Sequence, residues 1–352
     1  MINTALEEAI SNQYEELFFT VGSPIRYKKH NQMILSSSDV LISEDIDSIL
    51  LSLIGEDKFS RLEKDKSLLK SCTLEGYGRV RLACGYQRGT KYLNIKLSKN
   101  TKNITGFDFP EVVRALSQFQ EGLILISGKN HSGKSTTMSF VLDQLNKHQS
   151  KNIVTVHQYI EYLMSHEMSL VKQKEIGIDI DSMSKGLEVA LQEDADMIFL
   201  DEVTDREVIG DMIRASSQGK LIVAVVNASN AYTTIEKMMN AFDPVDQLYY
   251  RTQFANVLKC IVSQKMIRLE ETKDVLFEIV LNNSGIKRLI IENKLNQLYN
   301  LIESYKNLGM RNYNMSLAEK VVKGALSKEA SLLLTDNGDE LLDYFNRGLM
   351  NE

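Results

Sequence analysis

The sequence is poor in residue types that stiffen or cross-link a protein. Its 352 residues include three prolines, no tryptophan and three cysteines. Because proline normally makes up about 5% of a protein, its scarcity excludes loops stiffened by proline. The cysteines Cys72, Cys84 and Cys260 lack the CxxC spacing, which excludes a zinc ribbon or a disulfide framework and favours a reducing cytoplasm.

Long hydrophobic runs are also lacking. No apolar stretch approaches the roughly 18 residues of a membrane-spanning helix, and the opening MINTALEEAI is acidic where a signal peptide is basic. We therefore expect a cytoplasmic protein that is not inserted in a membrane by its own sequence. The hydrophobic share of 43% and the charged share of 25% are ordinary for a globular protein, and the length predicts two domains or one domain with an appendage.

An overall basic charge is absent, because 47 acidic against 41 basic residues give a net charge of -6. This balance argues weakly against a protein that coats nucleic acid. Between Leu69 and Lys102 the sign reverses, with eight basic residues against the single acid Glu75. The basic residues are Lys70, Arg79, Arg81, Arg88, Lys91, Lys96, Lys99 and Lys102. From composition alone, a solvated face of a small domain explains them as well as a binding surface does.

The first hundred residues predict a mixed α/β unit. Leu17–Val21 has the composition of a strand, and Asp39–Leu53 has the apolar spacing of a helix. Arg79–Ala83 and Tyr92–Leu97 alternate in the manner of half-buried strands. The polar stretch Thr101–Pro110 predicts a linker.

From Glu111 onward, apolar runs of strand length alternate with segments of helix length. The runs are Leu123–Ile126, Ile153–Val156, Met197–Leu200 and Leu221–Val226. Apolar runs without alternation are typical of parallel strands buried on both faces, so we predict a parallel sheet with helices on both faces. After about Asn283 only amphipathic helices are predicted, over Lys287–Leu301, Ser316–Lys323 and Glu340–Arg347.

A phosphate-binding motif lies at the first strand-to-helix junction of this second domain. Gly128–Ser135 (GKNHSGKS) matches GxxxxGK[ST] between the predicted strand and a helical pattern over Thr136–Leu145. The glycines let backbone N–H groups turn towards phosphate, Lys134 reaches the β- and γ-phosphates, and Ser135 can hold Mg²⁺. A turn that binds nothing would have no reason to lie between these two elements, so ATP and Mg²⁺ are the predicted ligands. The predicted nucleotide-binding residues are Gly128, Asn130, His131, Ser132, Gly133, Lys134, Ser135 and Thr136.

Two carboxylates follow an apolar run further along the chain. Asp201 and Glu202 come directly after Met197–Leu200. A P-loop enzyme needs acids on a neighbouring strand to order Mg²⁺ and to polarise the attacking water. An acidic pair after a strand is more often a loop start, but the upstream P-loop favours catalysis. We therefore predict Glu202 and Asp201 as the catalytic residues.

Segments spread over nearly the whole chain resemble a known family. They are Leu17–Arg26, Arg79–Arg81, Gln87–Gly89, Gly122–Thr137, Gln173–Gly177, Gly285–Lys294, Gly309–Leu317 and Lys323–Ala330. In them the chain resembles the type II/type IV secretion ATPases, the GspE/PulE family. Gly285–Lys294 (GIKRLIIENK) is similar to AIRNLIREGK, the signature of the PilT-like branch of pilus retraction ATPases. The expectation of retraction rather than extension rests on this segment.

The resemblance implies an α/β chain with three parts. They are a PAS-like α+β domain over residues 1–105, a RecA-like P-loop NTPase domain over 106–282 and a helical tail over 283–352. It also implies a homo-hexameric ring that hydrolyses ATP to remove pilin subunits during twitching motility. The implied partners are an inner-membrane pilus platform protein and a paralogous pilus ATPase, at the cytoplasmic face of the plasma membrane, with no nucleic acid.

In that family, arginines of the N-terminal domain reach the nucleotide. The resemblance therefore makes Arg79, Arg81 and Arg88 candidate clamps on phosphate. The alternative is that this basic stretch pairs with acids of a neighbouring domain.

The chain departs from the family pattern in the boxes used for hydrolysis. The Asp box TIEDPIE corresponds to Thr155–Glu161 (TVHQYIE), so His157 and Gln158 replace two carboxylates and Glu161 remains. In the His box, Asn227 replaces the imidazole. Further replacements are Glu188 and Gln192 for two arginines and Asp201 for a glycine.

These departures leave two hypotheses about the mechanism. Losing one preorganised group typically costs about 10²–10³ in rate, and several are changed here. The first hypothesis is a slow PilT-like ATPase in which Glu202 orients water; His157 is then a base or, the favoured interpretation, a hydrogen-bonded strand-end residue. The second is a catalytically impaired nucleotide-binding paralogue that acts as a structural or regulatory subunit.

A motor that acts on nucleic acid is a third class. It would need exposed aromatic side chains near the basic stretch, on which bases could stack. Tyr77, Tyr86 and Tyr92 lie there, but tyrosines in strands usually belong to a core, and the retraction signature argues against this class.

Overall fold

A computed structural model describes residues 1–29, 32–36, 39–100, 108–268 and 273–346. The chain divides into two compact units, Met1–Asn100 with Tyr159–Leu163, and Thr101–Gln158 with Met164–Glu352. All but the last three positions of the predicted linker Thr101–Pro110 lie outside the described residues. The boundaries near residues 105 and 282 stay predictions.

Helices and strands account for most of the described residues. The α-helices are α1 (Ile2–Ser11), α2 (Ser43–Ile54), α3 (Glu56–Asp65), α4 (Glu111–Ala115), α5 (Lys134–His148), α6 (Met183–Gln192), α7 (Arg206–Ser217), α8 (Ala231–Asn240), α9 (Gln247–Val257), α10 (Ser284–Ile291), α11 (Leu298–Ser304), α12 (Tyr313–Val322), α13 (Lys328–Leu334) and α14 (Gly338–Asn346). The strands are β1 (Glu16–Thr20), β2 (Arg26–Lys29), β3 (Gln32–Leu35), β4 (Ser67–Leu74), β5 (Gly78–Gln87), β6 (Thr90–Leu97), β7 (Lys99–Asn100), β8 (Gly122–Gly128), β9 (Asn152–His157), β10 (Tyr162–Leu163), β11 (Leu170–Glu175), β12 (Met197–Leu200), β13 (Leu221–Val226), β14 (Leu258–Arg268) and β15 (Lys273–Leu281).

The first unit is an antiparallel sheet in the order β3-β2-β1-β6-β5-β4, and its core includes residues of α1, α2 and α3. Alternation along β5 buries Val80 and Leu82 and turns Arg79 and Arg81 to the opposite face. The predicted strands of this region are confirmed. The predicted helix begins later than expected, at Ser43, because the Asp45 carboxylate caps its first turn.

The second unit contains a seven-stranded sheet in the order β11-β9-β12-β13-β8-β14-β15. Its neighbouring strands are parallel except for the antiparallel pair β14 and β15. The four apolar runs form β8, β9, β12 and β13 in the middle of this sheet, where their residues are almost all buried. The prediction of a parallel sheet is therefore confirmed, whereas β11, β14 and β15 were not predicted because polar residues interrupt them.

Helices α10 to α14 follow β15, as predicted for the chain after Asn283. The predicted helix Lys287–Leu301 is divided into α10 and α11, because Asn293 has a left-handed backbone (φ 56°) that ends the first helix. The family-like segment Gly285–Lys294 forms most of α10, and Asn283 caps it by accepting N–H bonds from Gly285 and Ile286. No helix in the described ranges has both the length and the apolar character to cross a membrane.

Candidate nucleotide-binding site

The predicted P-loop connects the buried strand β8 to α5. Its first glycine, Gly128, has a positive φ (157°), and the Cβ of a side chain there would overlap Ser132 Oγ and lie 2.7 Å from the Gln264 carbonyl oxygen. The last glycine, Gly133, also has a positive φ (94°) immediately before the helix. Only glycine fits the first position without displacing its neighbours, so the loop has the tight turn that the motif predicts.

Several buried polar atoms near this loop have no hydrogen-bond partner among the residues that the structure describes. They are Ser132 Oγ, Thr137 Oγ1 and Gln264 Oε1. An unpaired buried polar atom costs about 1–3 kcal/mol, and such atoms in a native protein call for an explanation. A polar ligand bound in the loop would explain these unpaired atoms. The turn at Gly128, beside Ser132, is suited to phosphate.

The lysine of the motif lies against the loop itself. Lys134 Nζ donates to the carbonyl oxygens of Gly128 at 2.8 Å and Lys129 at 2.9 Å. Its ammonium is therefore held beside the backbone that would surround a phosphate.

The pKa of Lys134 depends on its burial and on three nearby charged side chains. Burial lowers this pKa, the carboxylates of Glu202 and Asp201 oppose the change, and the charge of Lys237 lowers it further. Both predicted acids thus act electrostatically on the P-loop lysine.

The two acids follow β12, which is not adjacent to the P-loop strand. The expectation of a neighbouring strand was wrong, because β13 lies between β8 and β12. Parallel strands nevertheless end at the same edge of the sheet, which keeps acids and P-loop close. Asp201 N–H donates to the Val156 carbonyl oxygen at 3.0 Å, and Glu202 is exposed with a left-handed backbone (φ 53°). A non-glycine residue in that conformation carries strain of the kind that clusters at functional sites.

The first half of the degenerate Asp box ends β9. His157 is buried, and its Nε2 lies 2.8 Å from Thr155 Oγ1. This contact favours the structural interpretation of His157 over a general base. Gln158 is exposed.

The second half of the Asp box belongs to the first unit. Glu161 Oε1 accepts from Lys96 Nζ at 3.0 Å, and Tyr159 Oη lies 3.0 Å from Ser98 Oγ. The Arg81 guanidinium lies 5.1 Å from the centre of the Tyr159 ring. The one carboxylate that remains in the box therefore has a lysine of its own unit as partner. Sequence reasoning missed Tyr159, although an aromatic residue in the position of the family's proline was a visible signal.

The three candidate arginines lie on β5 and the turn after it. Arg79 and Arg81 share one face of the strand, whereas Arg88 lies in the turn with a left-handed backbone (φ 51°). At about 3.3 Å per residue, Arg88 is roughly 20 Å from Arg81. The structure brings the first two together and keeps the third apart.

The tyrosines near the basic stretch make contacts within the first unit. Tyr77 and Tyr86 pack against its core, and Tyr92 lies over Gly85. These contacts favour the core interpretation over stacking with nucleic acid.

The His-box position contacts the P-loop directly. Asn227 Nδ2 donates to Asn130 Oδ1 at 3.0 Å, and Lys237 Nζ donates to the Asn227 carbonyl oxygen at 3.0 Å. Lys237 was not predicted from the sequence, although a basic residue on the helix after the predicted strand Leu221–Val226 was a possible signal. The other replaced positions, Glu188 and Gln192, bond to each other on the exposed surface of α6.

The chain is similar to known proteins along most of its length. A family model described as type II/IV secretion system protein matches residues 88–326. The uncharacterized protein YggR of Escherichia coli is 28% identical over 90% of this chain and 97% of its own length. The type IV pilus retraction ATPase PilT of Pseudomonas aeruginosa is 26% identical over 89% of this chain and 92% of its own.

A solved structure gives the same result for the fold. The crystal structure of the pilus retraction motor PilT with bound ADP superposes with a TM-score of 0.85 at 28% identity, covering 96% of this chain and 97% of that chain. The fold class and the resemblance drawn from sequence are confirmed. Because the family model spans about two thirds of the residues, the chain belongs to the type II/IV secretion system protein family.

Proposed function

We propose that the chain is an ATP-binding and ATP-hydrolysing motor subunit that drives or assists pilus retraction in twitching motility. The observation that carries this proposal is the position of Lys134 in a glycine-built P-loop, under the electrostatic influence of Asp201 and Glu202. Similarity to a pilus retraction ATPase and to a retraction motor solved with ADP supports the choice of nucleotide and process.

In the proposed reaction a water oxygen attacks the γ-phosphorus of ATP while the bond to the β,γ-bridging oxygen breaks. ADP and inorganic phosphate leave, and the water gives up a proton. Glu202 orients the water, and Lys134 with the loop N–H groups balances the charge on the phosphates.

The oxygen atoms near the loop suit Mg²⁺. No cluster of three or more His, Cys, Asp or Glu side chains suited to a metal occurs in the described ranges, but Mg²⁺ with a nucleotide needs few protein ligands beside phosphate oxygens and water. The Ser135 hydroxyl and the Asp201 carboxylate are the groups that would hold it, which leaves Glu202 to orient the water. When bound, the ion neutralises charge that develops on the phosphates.

The altered boxes favour slow hydrolysis. An amide at Asn227 cannot exchange a proton as an imidazole does, His157 is engaged by Thr155, and Glu161 is paired with Lys96. These contacts also keep the second candidate function open, a nucleotide-binding subunit that regulates or completes a motor whose other members hydrolyse ATP.

Assembly and location are parts of the same proposal. We propose a homo-hexameric ring at the cytoplasmic face of the inner membrane, contacting a pilus platform protein and, as a candidate, a paralogous ATPase. The three-part division at residues 105 and 282 is proposed with it, as are Arg79 and Arg81 as phosphate clamps. Arg88 is kept as a separate candidate because of its distance along β5.

Phosphate release by the purified protein, measured beside Glu202→Gln, separates the two functions. For a motor ATPase we expect release that falls about 10²–10³-fold in the variant, with ATP binding retained in both proteins. No release from either protein while ATP still binds would reject hydrolysis and favour the regulatory subunit. Equal release from the two proteins would reject Glu202 as the residue that orients the water.

A further inference from the structure

Lys237 lies on α8, the helix that follows β13, at the carboxyl edge of the second sheet. It is half-buried, and its Nζ donates one hydrogen bond, to the Asn227 carbonyl oxygen at 3.0 Å. Within the part of the chain that the structure describes, no acidic side chain lies at ion-pair distance from it. The acid beside it in sequence, Glu236, accepts instead from Tyr232 Oη at 2.8 Å.

A short chain of contacts links Lys237 to the P-loop. The residue that holds its ammonium, Asn227, is the one whose amide meets Asn130 of the loop at 3.0 Å. The positive charge of Lys237 also lowers the pKa of Lys134. Two lysines thus repel each other at one edge of the sheet, an arrangement that a bound anion would stabilise.

The chemistry of an ammonium group suits such an anion. Lysine carries three N–H donors on a flexible stem, and the structure gives Lys237 one acceptor. The other N–H donors can reach phosphate oxygens without loss of the bond to Asn227.

We propose that Lys237 is a second phosphate-binding cation of this site, which contacts the terminal phosphate of a bound nucleoside triphosphate where the family's imidazole is replaced by Asn227. The inference rests on the proposed function, since it requires the nucleotide to bind in the P-loop. The inference predicts that the site binds a nucleoside triphosphate more tightly than a diphosphate, because a diphosphate lacks the terminal phosphate that Lys237 would contact.

The test compares the dissociation constants of a non-hydrolysable ATP analogue and of ADP, with Mg²⁺ and at fixed ionic strength. Lys237→Gln keeps an N–H donor for the Asn227 carbonyl but loses the charge, whereas Lys237→Arg keeps both. We expect Lys237→Gln to weaken binding of the ATP analogue by about 10- to 100-fold, as for loss of a charged hydrogen bond, and to change ADP binding little. Lys237→Arg should restore most of the preference for the triphosphate.

Lys172→Gln is the matched control, because it makes the same replacement on β11 at the far edge of the sheet, where Lys172 pairs with Glu193. It should leave both dissociation constants unchanged. Equal weakening of both nucleotides by Lys237→Gln, or no weakening, would overturn the inference while the proposed function stands. Failure of the wild-type chain to bind either nucleotide would overturn the proposed function and this inference with it.

Discussion

Asn227 and Asn130 join the end of β13 to the P-loop by one hydrogen bond, from Nδ2 to Oδ1 over 3.0 Å. The amide of Asn227 can hold the loop, but an amide has no pKa near neutrality and cannot exchange a proton there. Asn227 therefore positions the P-loop through a hydrogen bond and offers no group for proton exchange near neutral pH.

We expect Asn227→Ala to weaken ATP binding. Loss of this neutral hydrogen bond is worth about 1 kcal/mol, or roughly five-fold in the dissociation constant. Asn240→Ala, at the exposed end of α8, is the control and should bind as the wild type does in equilibrium titration with an ATP analogue. A change of more than about a hundredfold in the first variant would mean that Asn227 does more than position the loop.

Glu161 provides a test of whether the segment Thr155–Glu161 takes part in catalysis. Its partner is Lys96, and both side chains are more than a third exposed, so the ion pair contributes little to stability, about 0–1 kcal/mol. Glu161→Gln should therefore leave phosphate release within about tenfold of wild type, whereas loss of a catalytic carboxylate costs about 10²–10³. A hundredfold loss in single-turnover phosphate release, with nucleotide binding retained, would place Glu161 among the catalytic residues.

The central strands could be predicted from sequence for a physical reason. β8, β9, β12 and β13 are covered on both faces, so their residues form continuous apolar runs. By contrast, β14 and β15 are at one side of the sheet and contain residues such as Lys265 and Glu278, so no such run marked them. The order of the strands in the sheet could not be predicted either, because nothing in the sequence places β13 between the P-loop strand and the strand that precedes the acids.

The candidate site could be predicted where one contiguous motif defines it. Gly128 and Lys134 belong to one contiguous loop, so their spacing sufficed. Lys237 comes near Lys134 only through the fold, and the pairing of Glu161 with Lys96 joins residues far apart in sequence. Contacts of this kind depend on tertiary packing and have no signature in a single sequence.

Glu278 is a buried acid whose protonation should affect stability. It lies on β15, and its Oε1 accepts from the Ala231 N–H at the start of α8 over 2.6 Å. Burial raises the pKa of Glu278 to about 7, although hydrogen bonds from Ala231 and Tyr299 oppose the change and the charge of Glu340 adds to it. The neutral acid is thus the form that the folded protein favours.

We therefore expect the free energy of unfolding to fall as pH rises. Because the folded pKa lies above the unfolded value of 4.5, the stabilising contribution is complete below that value and is lost as pH rises through about 7. The shift corresponds to about 3 kcal/mol at most. Urea unfolding at pH 5 and pH 8 should show this loss in the wild type and not in Glu278→Gln; equal pH dependence in the two proteins would contradict it.

Point substitutions test the role of the family-like segment Gly285–Lys294 better than a deletion of the whole segment would. Removing it would take away Ile286 and Ile290, which are buried in the core of the second unit, so loss of ATP binding would only report unfolding. Ile290→Ala should cost about 2–5 kcal/mol in the free energy of unfolding. Arg288, by contrast, is exposed and pairs with Glu292, the residue that follows α10, so Arg288→Ala should change stability by less than about 0.5 kcal/mol.

If this helix face acts in retraction, Arg288→Ala should bind ATP as the wild type does and fail to restore twitching to cells that lack the gene. The control is Arg214→Ala, which removes an exposed arginine paired with Asp211 on α7 and should restore twitching. Normal twitching with Arg288→Ala would assign this arginine no part in the motor and would leave α10 a structural helix. Loss with both variants would mean that surface charge in general, rather than α10, sets the motor's output.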